Sequence, residues 1–425
     1  MKNVLVDILR AERSISGYRI TDSKTESYEL FFVHRSLETV RATDTNETSV
    51  TVYVEHDGKL GDATFTVYGS MSDEEIKEKI AAAAERAKLV FNEPYELPAD
   101  GCGNYELESN LGGDEPRVLA AKIADAVFDA DCVEGGSINA TEIFLYRDTV
   151  RVMNSRGIDK TQVKYRAMIE AIPTFTDSNE SVELYEAYRF TEFDAAAVTA
   201  EISEKMREVA LRRKAVKPAT PIEADVVLRG QEIDDLMSAL AYDLTYAGVY
   251  VHSNLHKKGD VIQTSGSGDR LSLSMTARLR GSSRSAFFDG DGVALTDTTV
   301  IRNGIVSAYY GTHRFASYLG EPETGDLPCL RLEPGSLTAD ELNAEPWIEC
   351  VSLSGLQVDL YNDYIGGEIR LAYHHRDGKS LPLTGITMSA KLSDVLGSLR
   401  LSDTTSVNDN YEGPDKMLLR GMAIL

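Results

Sequence analysis

Cysteine, histidine and positive charge are all in short supply. The four cysteines, Cys102, Cys132, Cys329 and Cys350, are scattered with no Cys-x-x-Cys spacing. That excludes a disulfide framework, and free, mostly buried thiols are expected. There is no apolar run of about 18 residues, so no membrane span is expected. The first twelve residues lack the apolar core of a signal peptide, and a cytoplasmic location is expected. Lys and Arg number 44 against 68 Asp and Glu, a net charge of −24. A surface that acidic repels phosphate backbones, so neither a nucleic-acid nor a membrane partner is expected. The one basic run, Arg207 to Lys217, suits a helix C-terminus, where cations complement the dipole. No Gly-x-Ser-x-Gly elbow occurs, and the Gly-rich run Thr264–Asp269 lacks the Lys-Ser/Thr ending of a phosphate loop.

With 425 residues, of which 42% are hydrophobic, two or three domains with real cores are expected. Alternating strands fill Ser27–Arg35, Leu37–Ala42, Ser49–Glu55 and Asp62–Tyr68, the last two joined by a turn at His56-Asp57-Gly58. A helix opens at the capping box Ser72/Glu75. A Pro- and Gly-rich stretch then reads as a linker. Pro116 starts another helix, followed by strands Thr141–Tyr146 and Thr149–Met153, two further strands and a long helix over 193–213. The expected fold is α+β: mixed and antiparallel sheets with covering helices, an N-terminal α/β region and a larger β-rich C-terminal domain. The expected boundaries are 1–92, a linker 93–115, 116–217 and 218–425.

The most informative stretch is Phe287 to Gly320. Asp289-Gly-Asp-Gly292 is a turn; it resembles the start of a calcium loop but has Ile301 where the twelfth-position Glu would stand. Thr299–Ile301, the turn Asn303-Gly304 and Ile305–Ser307 form a β-hairpin signal. Tyr309, Tyr310, Phe315 and Tyr318 supply a packing surface ending at Gly320. Other pieces lie in order around it: Asn154-Ser-Arg-Gly157, Ser354-Gly355-Leu356, Gly366-Gly367-Glu-Ile369 and Thr384-Gly385-Ile-Thr-Met-Ser-Ala390. This ordered set resembles the TldD/PmbA family, whose PmbA branch is also called TldE and which bears the older label of DNA gyrase modulator. The resemblance spans most of the chain.

One branch of that family is a zinc metallopeptidase with His-Glu-x-x-x-His on a helix and a distant Cys ligand. Such a helix supplies two imidazoles and a water-activating Glu. None of the seven histidines here precedes a Glu. If the helix expected over Gln231–Leu244 is the counterpart, its positions fall at Ser238, Ala239 and Asp243, and Ser406–Pro414 carries no Cys. The resemblance therefore implies a PmbA/TldE-like chain with no catalytic or metal residues of its own. It would pair with a zinc-bearing TldD-like subunit, or with itself, and act on unfolded or modified peptides. A second reading is a stand-alone metal-dependent hydrolase using His252, His256 and an acid such as Asp260; at i, i+4 on a helix the two imidazoles would share a face. The competing local reading of 249–251 is strand, with the histidines on a polar turn. A third is a non-enzymatic homodimeric peptide-binding scaffold. His313 is a candidate for substrate or partner contact; His374 and His375, adjacent on a strand, point to opposite faces.

Overall fold

A computed structural model describes residues 2–425 except 100, 179, 264, 265 and 267, so the run Thr264–Asp269 lies partly outside the described residues. Helix α1 (Lys2–Ala11) leads into three antiparallel strands, β1 (Gly17–Val33), β2 (Ser36–His56) and β3 (Lys59–Val67), then α2 (Asp73–Ala87). Next come β4 (Cys102–Glu106), α3 (Pro116–Asp129), β5 (Gly136–Asn154), β6 (Asp159–Thr176), β7 (Ser181–Glu183), β8 (Glu186–Phe190) and α4 (Ala195–Lys214). All eight strands form one sheet, in the order β3-β2-β1-β5-β6-β4, with β7 and β8 also pairing with β6.

Strand alternation puts the even residues of β1 on the helix-covered face. Tyr18 and Ile20 meet α1 and α2 in one core, while Leu30 meets α3 and α4 in a second. The sequence explains the covering helices. Ser72 and Glu75 form a reciprocal capping box on α2, Pro116 occupies the first turn of α3, and Asp194 caps α4. The basic run closes α4 with Arg212, Arg213 and Lys214 in its last turn.

Several local expectations are corrected here. Residues 37–42 and 49–55 belong to one 21-residue strand, because the polar Thr-rich segment between them pairs with β1 throughout. Arg147-Asp148 does not interrupt β5: Arg147 donates to Glu26 at 2.6 Å, and Arg166 to Asp148 at 2.6 Å, so neighbouring strands satisfy both charges. The expected linker contains β4, paired parallel with β6. Residues 1–92 and 116–217 therefore carry two cores on one sheet.

The remaining strands are β9 (Asp225–Arg229), β10 (Leu273–Thr276), β11 (Thr298–Arg302), β12 (Ile305–Val306) and β13 (Cys329–Leu332). They continue as β14 (Trp347–Asp359), β15 (Tyr364–Arg376), β16 (Lys379–Leu383), β17 (Ile386–Lys391) and β18 (Arg400–Leu401). The last four are β19 (Thr405–Val407), β20 (Tyr411–Pro414), β21 (Lys416–Leu419) and β22 (Ala423–Ile424). Helices α5 (Gly230–Tyr242), α6 (Tyr246–Tyr250), α7 (His313–Leu319), α8 (Ala339–Leu342) and α9 (Leu392–Ser398) are interspersed. One sheet runs β12-β11-β10-β13-β20-β19, the other β18-β21-β9-β14-β15-β17-β22 with β16 on β15. Ile233, Leu236, Met237 and Leu240 of α5 pack into a core shared with both sheets. The fold is α+β with mixed and antiparallel sheets, and the hairpin at Asn303-Gly304 forms as expected, both residues at positive φ.

The two halves meet through the motif residues. Phe288 packs on Val152 and Ile158, and Tyr105 stacks on Phe287 at 4.9 Å between ring centroids. Arg19 pairs with Asp291, and Lys164 donates to the Ser283 carbonyl at 2.7 Å.

Candidate functional site

Between α4 and the C-terminal sheets lies a cleft of about 720 Å³, bordered by residues 187–190, α4, Arg229, the 280–284 loop and residues 407–410. Its floor is an unusual run of charge. Lys205 bridges Glu186 and Glu208 at 3.1 and 2.9 Å, and Arg229 bridges Glu208 and Glu349 at 2.8 and 3.0 Å. Glu349 then meets the His375 Nε2 at 3.0 Å, and that ring stacks on Trp347. Glu208 is fully buried, so its two cations are what make its charge tolerable there. Burial alone would lower the Lys205 ammonium; its carboxylate neighbours reverse this and hold it above the ordinary lysine range.

The α5 wall carries a second cluster. The Asn410 amide donates to both Asp234 oxygens at 3.0 and 2.8 Å, and the Ser238 hydroxyl donates at 3.1 Å. Burial pushes the Asp234 carboxyl up to about 6, against these two donors. Asp409 accepts from the Ser283 N–H at 2.7 Å and its hydroxyl at 2.9 Å. Together α5 and the loops 281–284 and 408–410 form one latched wall.

The three counterpart positions do not rebuild a metal site. Ser238 is committed to Asp234, and Ala239 offers no ligand. Asp243 just beyond α5 accepts from the N–H groups of Leu255 and His256 and bonds the His256 ring at 2.9 Å. Those hydrogen bonds outweigh its burial and hold its carboxyl below the usual range. The helical alternative for His252 and His256 is also corrected. Residues 246–250 form α6, capped by Thr245, so Val249-Tyr250 is helical and not strand; His252 lies past its end at φ 58°. Asp260 accepts from the Lys257 N–H of its own turn. Among the described residues no three His, Cys, Asp or Glu side chains converge as a ligand group. The metal-binding role stays an expectation from sequence that this geometry does not assemble.

The other singled-out residues are placed as follows. Asn154 donates to the Pro98 carbonyl and accepts from the N–H of Arg156 and Ile158, building the turn that Gly157 completes. Asp289 accepts from the N–H groups of Asp291 and Val293, leaving Gly292 at φ 81° against Ile158. Gly320 ends α7 in the left-handed conformation. Gly367 allows close approach to the Gly355 carbonyl within the β14–β15 hairpin, Gly355 itself lies at φ 135°, and Gly385 turns the chain between β16 and β17 at φ 64°. His313 bonds Glu323 and the Glu96 carbonyl, tying α7 to the segment after α2. His375 joins the ionic run while His374 lies on the other face. Two of the four cysteines, Cys102 and Cys132, are exposed, contrary to expectation; all four are free.

Sequence reasoning passed over Lys205, Glu208 and Arg229. The available signal was Glu208, which sits beside Val209 on the buried face of α4.

Residues 222–425 match the PmbA/TldA metallopeptidase C-terminal domain family. No curated protein matches. Among solved structures, TldE from Thermococcus kodakarensis superimposes with a TM-score of 0.81 at 16% identity, covering 99% of both chains. A protein from Bacteroides thetaiotaomicron VPI-5482 named as a modulator of DNA gyrase gives 0.79 at 16% identity, covering 100% of this chain and 98% of that one. Another so named, from Thermotoga maritima MSB8, gives 0.77 at 16% identity, with 100% and 99% covered. Residues 222–425 therefore belong to the PmbA/TldA metallopeptidase C-terminal domain family, and the whole chain has the fold of these TldE and gyrase-modulator structures.

Proposed function

We propose that this chain is a PmbA/TldE-like subunit of a TldD/TldE-type peptidase assembly, located in the cytoplasm and acting on unfolded or modified peptides. It supplies a wall of the peptide-handling cleft, and zinc enters with a TldD-like partner bearing His-Glu-x-x-x-His. One observation carries this reading. On α5, the helix taken as counterpart of the zinc helix, Ser238 donates to Asp234, which also accepts from Asn410, and just beyond the helix Asp243 is spent on the 255–256 turn. Three ligands that leave an open coordination position are what a zinc-activated water needs. This wall offers a closed hydrogen-bond network in their place.

The test is reconstitution. Co-expression with a TldD-like chain should yield a complex containing zinc, with peptidase activity in the complex and none in this chain alone. Hydrolysis by the purified chain, abolished by a chelator, would overturn the inactive-subunit reading. Failure to associate with any such partner would overturn the pairing.

A further inference from the structure

One hairpin of the C-terminal half sets a serine, a histidine and a carboxylate in line. β15 and β16 are joined by the turn Asp377-Gly378, both residues at positive φ, which places His375 opposite Ser380. On the other side of β15, Trp347 of β14 lies opposite His375, and Glu349 shares its face two residues on. The Ser380 Oγ is 2.9 Å from the His375 Nδ1, and the His375 Nε2 is 3.0 Å from the Glu349 Oε2.

These bonds fix the protons. A carboxylate only accepts, so Nε2 carries the ring hydrogen and Nδ1 is left to accept from the Ser380 O–H. Burial opposes the Glu349 charge, but the Arg229 guanidinium, 3.0 Å from Oε1, and the imidazole hold its carboxyl below the usual range. Trp347 stacks on the imidazole at 3.9 Å between ring centroids and limits its rotation. Exposure rises along the line: the Glu349 side chain is 9% exposed, that of His375 22%, and Ser380 is open to solvent. The backbone adds a donor. The Val216 N–H bonds the Pro382 carbonyl and the Thr384 N–H bonds the Val216 carbonyl, so even positions of β16 face away from β15. The Ser380 N–H shares that direction, and among the described residues β16 pairs with no strand but β15.

We propose that Ser380, His375 and Glu349 form an acyl-transfer site that hydrolyses carboxylic esters. The Ser380 Oγ bonds to the ester carbonyl carbon as its proton passes to the His375 Nδ1. The ester C–O bond then breaks, and the leaving alcohol takes that proton. Water, giving a proton to the same nitrogen, attacks the acyl-serine; the acid departs and the proton restores the Ser380 hydroxyl. Glu349 is a positioning residue that holds the ring and offsets its positive charge. The Ser380 N–H is a single donor for the developing oxyanion, which suits esters and not amides, whose leaving groups are poorer. This chemistry goes beyond the subunit reading above and needs neither zinc nor a partner.

The full chain is incubated, with a chelator present throughout, with a fluorophosphonate probe; its phosphorus takes the serine oxygen as fluoride leaves and the proton passes to His375. Peptide mass spectrometry should place the adduct on Ser380. Ser380→Ala should abolish it and lower the hydrolysis of nitrophenyl acetate at least about tenfold. Glu349→Gln tests the positioning role. Because Arg229 occupies Oε1, the amide nitrogen of the variant faces the ring and moves its hydrogen to Nδ1, where Ser380 can no longer donate. Nitrogen NMR shifts of His375 should report that change of tautomer, and labelling should slow at least about tenfold. No adduct, an adduct elsewhere, or ester hydrolysis unchanged in Ser380→Ala would overturn the proposal, as would unchanged labelling of Glu349→Gln. If Glu349→Gln does not fold, the adduct's position and the exposed Ser380→Ala decide. Failure here leaves subunit pairing standing, and failed pairing leaves ester hydrolysis standing.

Discussion

Glu232, in the first turn of α5, illustrates how far one residue's surroundings can shift chemistry. Burial pushes its carboxyl up to about 7 from an ordinary 4.5, outweighing its helix-terminal N–H. Because the folded value lies above the unfolded one, the folded state binds the proton more tightly. Stability is then fullest below pH 4.5 and is lost as pH rises through about 7. The shift corresponds to a loss on the order of 3 kcal/mol. Glu232→Gln should flatten this slope, leaving the variant the more stable protein at pH 8; parallel melting-temperature curves for the two would refute the assignment. Asp234, raised to about 6, adds a slope of the same sign that the variant retains. Tyr188 makes a simpler case. Its buried hydroxyl lacks a partner, so Tyr188→Phe should be neutral or stabilise by about 1 kcal/mol in urea unfolding.

Among the elements, the turn Asp289–Gly292 helps join the halves, with Phe288 packed on Val152 and Ile158 and Asp291 paired with Arg19. A Cβ on Gly292 would sit 2.6 Å from the Ile158 Cγ2, at a φ of 81° that disfavours side chains. Gly58 has a similar φ of 72° with open space around it. Gly58→Ala should cost about 1 kcal/mol from backbone strain alone, and Gly292→Ala clearly more, about 2–3. If both cost the same in chemical denaturation, Gly292 is not a contact between the halves.

Both turns were legible in the sequence because glycine beside Asp or Asn has a local cause. So were the capping box, the Asn303-Gly304 hairpin and the apolar faces of α2 and α4. The continuity of β2 and β5 was not legible. Their polar middles, Thr43–Thr48 and Arg147-Asp148, are satisfied by cross-strand partners more than a hundred residues away in the case of Arg147 and Glu26. A window of sequence cannot register such pairing. The cleft was illegible for the same reason, since β8 and β19 lie over two hundred residues apart and neither is longer than five residues.

For the whole molecule, the ionic run from Glu186 to His375 matters because it starts on the N-terminal sheet, passes through α4 and ends on β15. Removing one partner strands its neighbours in a buried place, a loss of about 3–5 kcal/mol. Together with Arg19–Asp291 and Lys164–Ser283, the run should make the two halves unfold as one cooperative unit. Trp347, the chain's single tryptophan, stacks on His375 with ring centroids 3.9 Å apart and so reports the C-terminal half alone. Far-ultraviolet circular dichroism reports both halves. In the unaltered protein the two signals should change at the same denaturant concentration. Arg229→Met leaves Glu208 to Lys205 and Glu349 to His375, cutting the run at its crossing point. The fluorescence and dichroism transitions should then move to lower denaturant and separate. Separate transitions already present in the unaltered chain would mean that the halves are held together by contact and not by this shared charge.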